Sequence, residues 1–191
     1  MPALTLDGLP RLLRILDRQQ VPASFFSPAA SAVLHPKVIS DIPGARQQHE
    51  IGVHGWIHER LPLLNNEKEE QRMLDLSIET LTKMTGKRPV GYRAPSWKHS
   101  GWTMRQIKAA GFLYDTSLMA RDDAYELLLD GKPTGVVELP IERILDDSHG
   151  HVGAVPRGVI GRGRRGGVLS MLRLTDACDV LPARSTTLRV L

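Results

Sequence analysis

A chain of 191 residues with 41% hydrophobic and 24% charged residues suits one domain with a sizeable core. No apolar run approaches the ~18 residues of a membrane helix, and the N-terminus lacks the basic-then-apolar order of a secretion signal, so the expectation is a cytoplasmic protein with no membrane partner. Cys178 stands alone, which excludes an internal disulfide, and the net charge of +4 belongs to the tail: residues 148–191 carry seven arginines against Asp176 and Asp179, leaving −1 on the first 147.

Leu9, Leu12, Leu13 and Leu16 recur at helical spacing behind Asp7, predicting an amphipathic helix to about Gln20 with Asp7 as its N-cap and Pro10 in the first turn. Val21–Phe26 reads as a buried strand opening at a proline. Pro36 can start a second helix through Ile39, which Pro43-Gly44 should break. The run from Glu67 to Thr85 has an apolar face of Leu74, Ile78 and Leu81, acidic residues in its first turn, Asn65 or Asn66 as cap and Gly86 as stop. Pro89–Tyr92 predicts a short strand, Ser100 caps a helix to about Ala110, and Phe112–Tyr114 and Val136–Ile141 predict two further strands. Strands alternating with helices indicate a parallel β/α architecture, open or barrel-like. Beyond Asp147 the patterning fails. Gly150–Gly167 is rich in glycine and arginine, only Val168–Leu174 keeps a core-like rhythm, and the tail is expected to be poorly packed.

Potential ligands concentrate in His49-Glu50-Ile51-Gly52-Val53-His54-Gly55-Trp56-Ile57-His58-Glu59, an apolar strand running into a His-x-x-x-His pair. Two imidazoles at this spacing can hold one metal ion if a third ligand arrives from elsewhere, although surface or capping histidines also fall at it. Residues just past a strand's carboxyl end face the ligand crevice of α/β proteins, and Gly52 permits close backbone approach. Tyr92-Arg93-Ala94-Pro95-Ser96-Trp97 follows another strand, so Arg93 and Trp97 are expected on the same rim, where a guanidinium can orient a carboxylate and an indole can wall a pocket. An ordinary proline loop is the alternative for this motif. Asp115, after the Phe112 strand, is a third rim candidate, with turn capping as its alternative.

Taken together, Val21–Phe26, His49–His58, Tyr92–Trp97, Tyr114-Asp115-Thr116-Ser117 and Glu138-Leu139-Pro140 resemble the polysaccharide deacetylase family, carbohydrate esterase family four. The likeness runs from about Leu9 to Asp147 and is strongest to the branch holding peptidoglycan-deacetylase-like proteins and hydrolases of cyclic ureides such as allantoin. The resemblance implies an irregular (β/α) barrel and metal-dependent hydrolysis of carbon–nitrogen amide bonds, with an acetylated glycan or a small amide or ureide as substrate. It further implies a divalent metal, commonly zinc, on His54 and His58, catalytic roles for Arg93 and Asp115, the latter orienting a general acid, and substrate contacts from Trp97 and Tyr92.

The departures are specific. The family's first strand ends in paired aspartates, one a base and one a ligand, whereas here Thr5-Leu6-Asp7-Gly8 holds a single aspartate with no apolar strand before it. The family's late Leu-x-x-His has no counterpart, His149 and His151 lying where strand character is absent. These losses predict a partial barrel over residues 1–147, a divergent tail over 148–191 from a shifted reading frame, weak metal binding and feeble turnover. A missing first strand should also leave an unpaired sheet edge, open to homo-oligomer formation. The competing expectation is a non-catalytic carbohydrate-binding or interaction module of the same fold. Nucleic acid is not an expected partner, because the basic charge is confined to the tail.

Overall fold

The computed structural model describes residues 3–120, 123–141 and 179–182. Helix α1 (Ala3–Gln19) buries Leu9, Leu12, Leu13 and Leu16 as the spacing predicts, but it begins upstream of Asp7. Ala3, Leu4 and Leu6 are good helix formers, so Asp7 lies inside the helix instead of capping it, and Pro10 falls beyond the first turn. The chain continues through β1 (Ala23–Ser27), α2 (Ala29–Leu34), α3 (Pro36–Asp41) and β2 (Glu50–Val53). Then come α4 (Leu61–Leu64), α5 (Glu67–Thr85), β3 (Gly91–Tyr92), a 3-10 turn (Pro95–Trp97), α6 (Thr103–Ala109), β4 (Tyr114–Asp115), β5 (Tyr125–Leu129), β6 (Lys132–Glu138) and β7 (Asp179–Pro182).

Helix α5 has the limits its sequence announces. Asn66 Oδ1 accepts from the Glu69 amide at 3.1 Å, and Gly86 closes the helix in a left-handed conformation at φ 72°. Helix α6 has Trp102, not Ser100, at its N-cap position, although the Ser100 hydroxyl accepts from the amides of Trp102 and Thr103 at its head. The sequence reading did not anticipate α2, α4 or β5, while the strand expected over Val136–Ile141 overlaps the end of β6.

The described strands form one open sheet in the order β5-β6-β4-β3-β2-β1-β7. Strands β1, β2, β3, β4 and β6 run parallel, while β5 and β7 close the two sides in antiparallel pairing. This is the partial (β/α) barrel type expected, but the outer edge of β1 is not bare. Asp179–Pro182 pairs along Ala23–Phe26, so the unpaired edge predicted for β1 is a correction, and four residues of the tail expected to be poorly packed form a strand. The remainder of that tail, including His149, His151, Gly150–Gly167, Val168–Leu174 and the proposed boundary at Asp147, lies outside the described residues.

Side-chain alternation gives the sheet two unlike faces. One packs Phe25, Ile51, Val53 and Tyr92 with Leu74, Ile78 and Leu81 of α5 and Ile107 of α6 in the main core. On the other face Phe26 crosses Gly52, where a Cβ would sit 2.5 Å from its ring, and meets Tyr114 edge-on at 6.2 Å. The Tyr114 hydroxyl donates to Glu50 Oε2 at 2.8 Å, and the Ser24 hydroxyl donates to the same oxygen. Burial, followed by the Glu50 charge, pushes the Tyr114 phenol far above its ordinary range, so it stays a donor.

Candidate functional site

Four strands end in register. Val53 pairs with Tyr92, Tyr92 with Asp115 and Asp115 with Glu138, so the next residues, His54, Arg93, Thr116 and Leu139, share the carboxyl-end rim of the parallel sheet. Backbone amides lock that rim across the strands: His54 donates to Ser27, Arg93 to Val53, Thr116 to Tyr92 and Leu139 to Asp115.

His54 is buried, and its Nδ1 lies 2.9 Å from the carbonyl oxygen of Arg93. A carbonyl can only accept, so Nδ1 carries a hydrogen, and in the neutral ring the lone pair is then on Nε2. His58 is exposed in a left-handed conformation at φ 62°, and its ring meets that of His54 at 4.9 Å between centroids. The turn between them is tied by Glu59. Its carboxylate accepts from the Trp56 amide through both oxygens, at 3.1 and 3.0 Å, and from the Ile57 amide at 2.9 Å. Gly55, at φ 74°, is required there because a Cβ would lie 2.8 Å from that carboxylate.

Arg93 is fully buried. Its guanidinium sits 4.8 Å from the Phe26 ring centroid and donates to the carbonyl and hydroxyl oxygens of Thr116, each at 3.1 Å. Ser96 and Trp97 both take left-handed backbone angles, a strained turn that holds the half-buried indole after Arg93. His54, His58, Arg93 and Trp97 thus occupy consecutive loops of one rim.

Tyr92 and Asp115 do not join them. Tyr92 is buried against Phe112 on the helix-packed face, beside a small cavity lined also by Glu59, Glu70, Thr103 and Gln106. Its phenol is pushed well above the ordinary range, by burial first and then by the charges of Asp115, Glu59 and Glu70. Asp115, its register partner, is wholly buried on the same side, accepting from the Ser117 hydroxyl at 2.6 Å with His99 Nε2 2.9 Å from its other oxygen. The single rim expected from sequence therefore divides between two faces, because neighbouring residues of an extended chain point in opposite directions.

The family profile of polysaccharide deacetylases matches residues 3–114. A peptidoglycan deacetylase from Helicobacter pylori is 34% identical over 162 residues, covering 73% of this chain and 54% of its own. Among solved structures, a Mycobacterium smegmatis protein assigned to the polysaccharide deacetylases is 41% identical with a TM-score of 0.70, over 81% of this chain and 52% of that one. The chain belongs to the polysaccharide deacetylase family. An allantoinase is 29% identical with a TM-score of 0.64, over 73% of this chain and 45% of its own, so the fold is shared with that enzyme. The chain spans about half the length of these relatives.

Polysaccharide deacetylases are generally metal-dependent. The donor set here meets that requirement in part. A Nδ1–H bonded to a backbone carbonyl is how proteins orient a metal-ligating imidazole through Nε2, and His54 has that bond. Among the described residues, however, no group of three histidine, cysteine, aspartate or glutamate side chains is placed to hold an ion. Three further residues bear on the site and were not singled out as site residues from sequence: Glu59, Glu138 and His99. A carboxylate one residue past the second histidine was a readable signal for Glu59. Glu138 and His99 become visible only through strand register and loop packing.

Proposed function

We propose that this chain carries the histidine side of a metal-dependent amide hydrolase that removes acetyl groups from an acetylated glycan. The observation that supports this most is the His54–His58 ring pair, with His54 held by the Arg93 carbonyl at the carboxyl-end rim of a deacetylase sheet. His54 and His58 would hold a divalent ion, zinc being the usual one, which when bound polarises an amide carbonyl and acidifies water. Glu59 fixes the turn between the two imidazoles. Arg93, dehydrated over Phe26 and bonded to Thr116, supplies a fixed positive charge behind the histidines, suited to orienting a carboxylate. Trp97 offers an apolar wall for a sugar ring. Asp115 acts from behind the rim, and Tyr92 serves the core beneath it.

Two protein ligands should bind zinc more weakly than three, so the expected behaviour is low-affinity binding and slow turnover. The test is cobalt or zinc titration of the purified chain by calorimetry and visible absorption, followed by assays on acetylated glycan oligomers and on allantoin. His54→Ala with His58→Ala should abolish specific metal binding; unchanged binding refutes the site. The absence of a third ligand among the described residues favours a second reading, a carbohydrate-binding module without chemistry. Saturable glycan binding with no acetate release supports that reading, and turnover lost in Arg93→Ala overturns it.

A further inference from the structure

Behind the rim lies a polar knot that tethers the loops following β3, β4 and β6. The Ala94 amide donates to the Ser117 hydroxyl at 2.8 Å, which donates to Asp115 Oδ1 at 2.6 Å. The amides of Ser117 and Leu118 donate to Glu138 Oε1 at 3.0 and 2.9 Å. Asp115, Glu138, Thr116 and Ser117 are all at most 1% exposed. Asp115 and Glu138 are register partners on adjacent parallel strands, whose backbones lie about 4.8 Å apart, so their carboxyl groups share one pocket. Each has one oxygen engaged by these donors, while Asp115 Oδ2 and Glu138 Oε2 lack an aligned hydrogen bond. His99 Nε2 lies 2.9 Å from Asp115 Oδ2 without an aligned bond.

Two buried carboxylates on adjacent strands would repel, and Glu138 Oε2 would keep no hydrogen-bond donor among the described residues. One retained proton removes both penalties by turning the facing oxygens into a donor and an acceptor.

We propose that Asp115 and Glu138 hold one proton between them and that this acid–carboxylate pair is a positioning device for the rim. Through Ser117 it fixes the amide of Ala94 and hence Arg93, whose carbonyl orients His54. Its value for catalysis rests on the hydrolase reading, but the shared proton does not. Burial, then the Asp115 charge and its hydrogen bond, push the Glu138 carboxyl up to about 9, which agrees with a proton kept at neutral pH. The charged and titratable groups around the pair are His99 from the loop before α6, Tyr92 on β3 with Arg93 beside it, and, across Tyr92, Glu59 and Glu70.

The test is infrared and carboxyl-carbon NMR titration of the full chain, with amide spectra recorded in parallel. At pH 7 the wild type should show a buried protonated carboxyl group that ionises near pH 9, and the Ala94, Ser117 and Leu118 amides should shift in the same transition. Glu138→Gln, which mimics the protonated acid, should lose that carboxyl signal and the alkaline transition while keeping the neutral-pH amide positions. Two ionised carboxylates at pH 7, or an unchanged alkaline transition in Glu138→Gln, overturns the proposal. Should the variant fail to fold, the wild-type titration decides alone. A chain that binds no metal and releases no acetate defeats the hydrolase reading and leaves these signals as they are.

Discussion

His49 shows why a histidine inside a ligand-rich stretch need not be a ligand. It is 9% exposed, its Nδ1 accepts from the Ala23 amide at 3.1 Å, and its ring edges against Phe25 at 5.4 Å. Protonation would put a second hydrogen between Nδ1 and that amide, in a site where charge is already costly. Burial accordingly lowers its pKa from 6.5, with Asp17 opposing the shift weakly. The unfolded chain therefore takes up the proton first, so the contribution of His49 is present above pH 6.5 and is lost as pH falls through the lower folded value. Stability should decline on acidification below that point by at most about 1.4 kcal/mol per pH unit. Urea unfolding at stepped pH checks this: His49→Asn, whose carboxamide oxygen can still accept from Ala23, should show a flatter acid limb than the wild type. Equal slopes would exclude His49 as the source.

At the scale of the elements, strand β2 is shaped by what passes over it. A Cβ on Gly52 would come within 2.6 Å of two Phe26 ring atoms and 3.0 Å of the Gly91 carbonyl, so neither the ring nor the neighbouring strand leaves room. Gly52→Ala should cost about 1–3 kcal/mol through overpacking and displace the ring on which Arg93 rests, lowering the thermal midpoint and any Arg93-dependent activity together. A variant as stable as the wild type would show that Phe26 can yield. The same elements explain which parts of the structure were legible in advance. Helix α5 could be bounded from letters because Asn66, the acidic first turn and Gly86 each act locally. The Asp130-Gly131 turn, at φ 51° and 73°, was an equally local hairpin signal that went unread. Strands β3 and β4 have two residues each, too few to show a period, so nothing in the letters said that Tyr92 faces the helices while Arg93 crosses Phe26. Nor could Glu138 be matched to Asp115, since their pairing is a register between residues 23 positions apart.

For the molecule as a whole, the decisive feature is how the sheet ends. One side is finished by the β5–β6 hairpin, whose strands are joined by the Asp130-Gly131 turn. The other is finished by β7, which lies over 150 residues from its partner β1 and pairs four residues of each strand antiparallel. β1 is buried along its whole length and includes Phe25 and Phe26, so removing β7 would open a row of backbone donors and acceptors on a buried, phenylalanine-bearing strand. The helical core over α1, α5 and α6 is held by side chains packed against a face of the sheet, Phe25 of β1 among them, whereas β7 meets β1 along its backbone edge. Deleting residues 179–191 should therefore leave helical circular dichroism largely intact while shifting the chain from its native state to larger assemblies, with amide exchange accelerated at Ala23–Phe26. Sedimentation velocity and hydrogen exchange on the two forms decide the matter. If the shortened chain keeps the same sedimentation coefficient and the same protection along β1, β7 is dispensable and the edge of the sheet is guarded by other means.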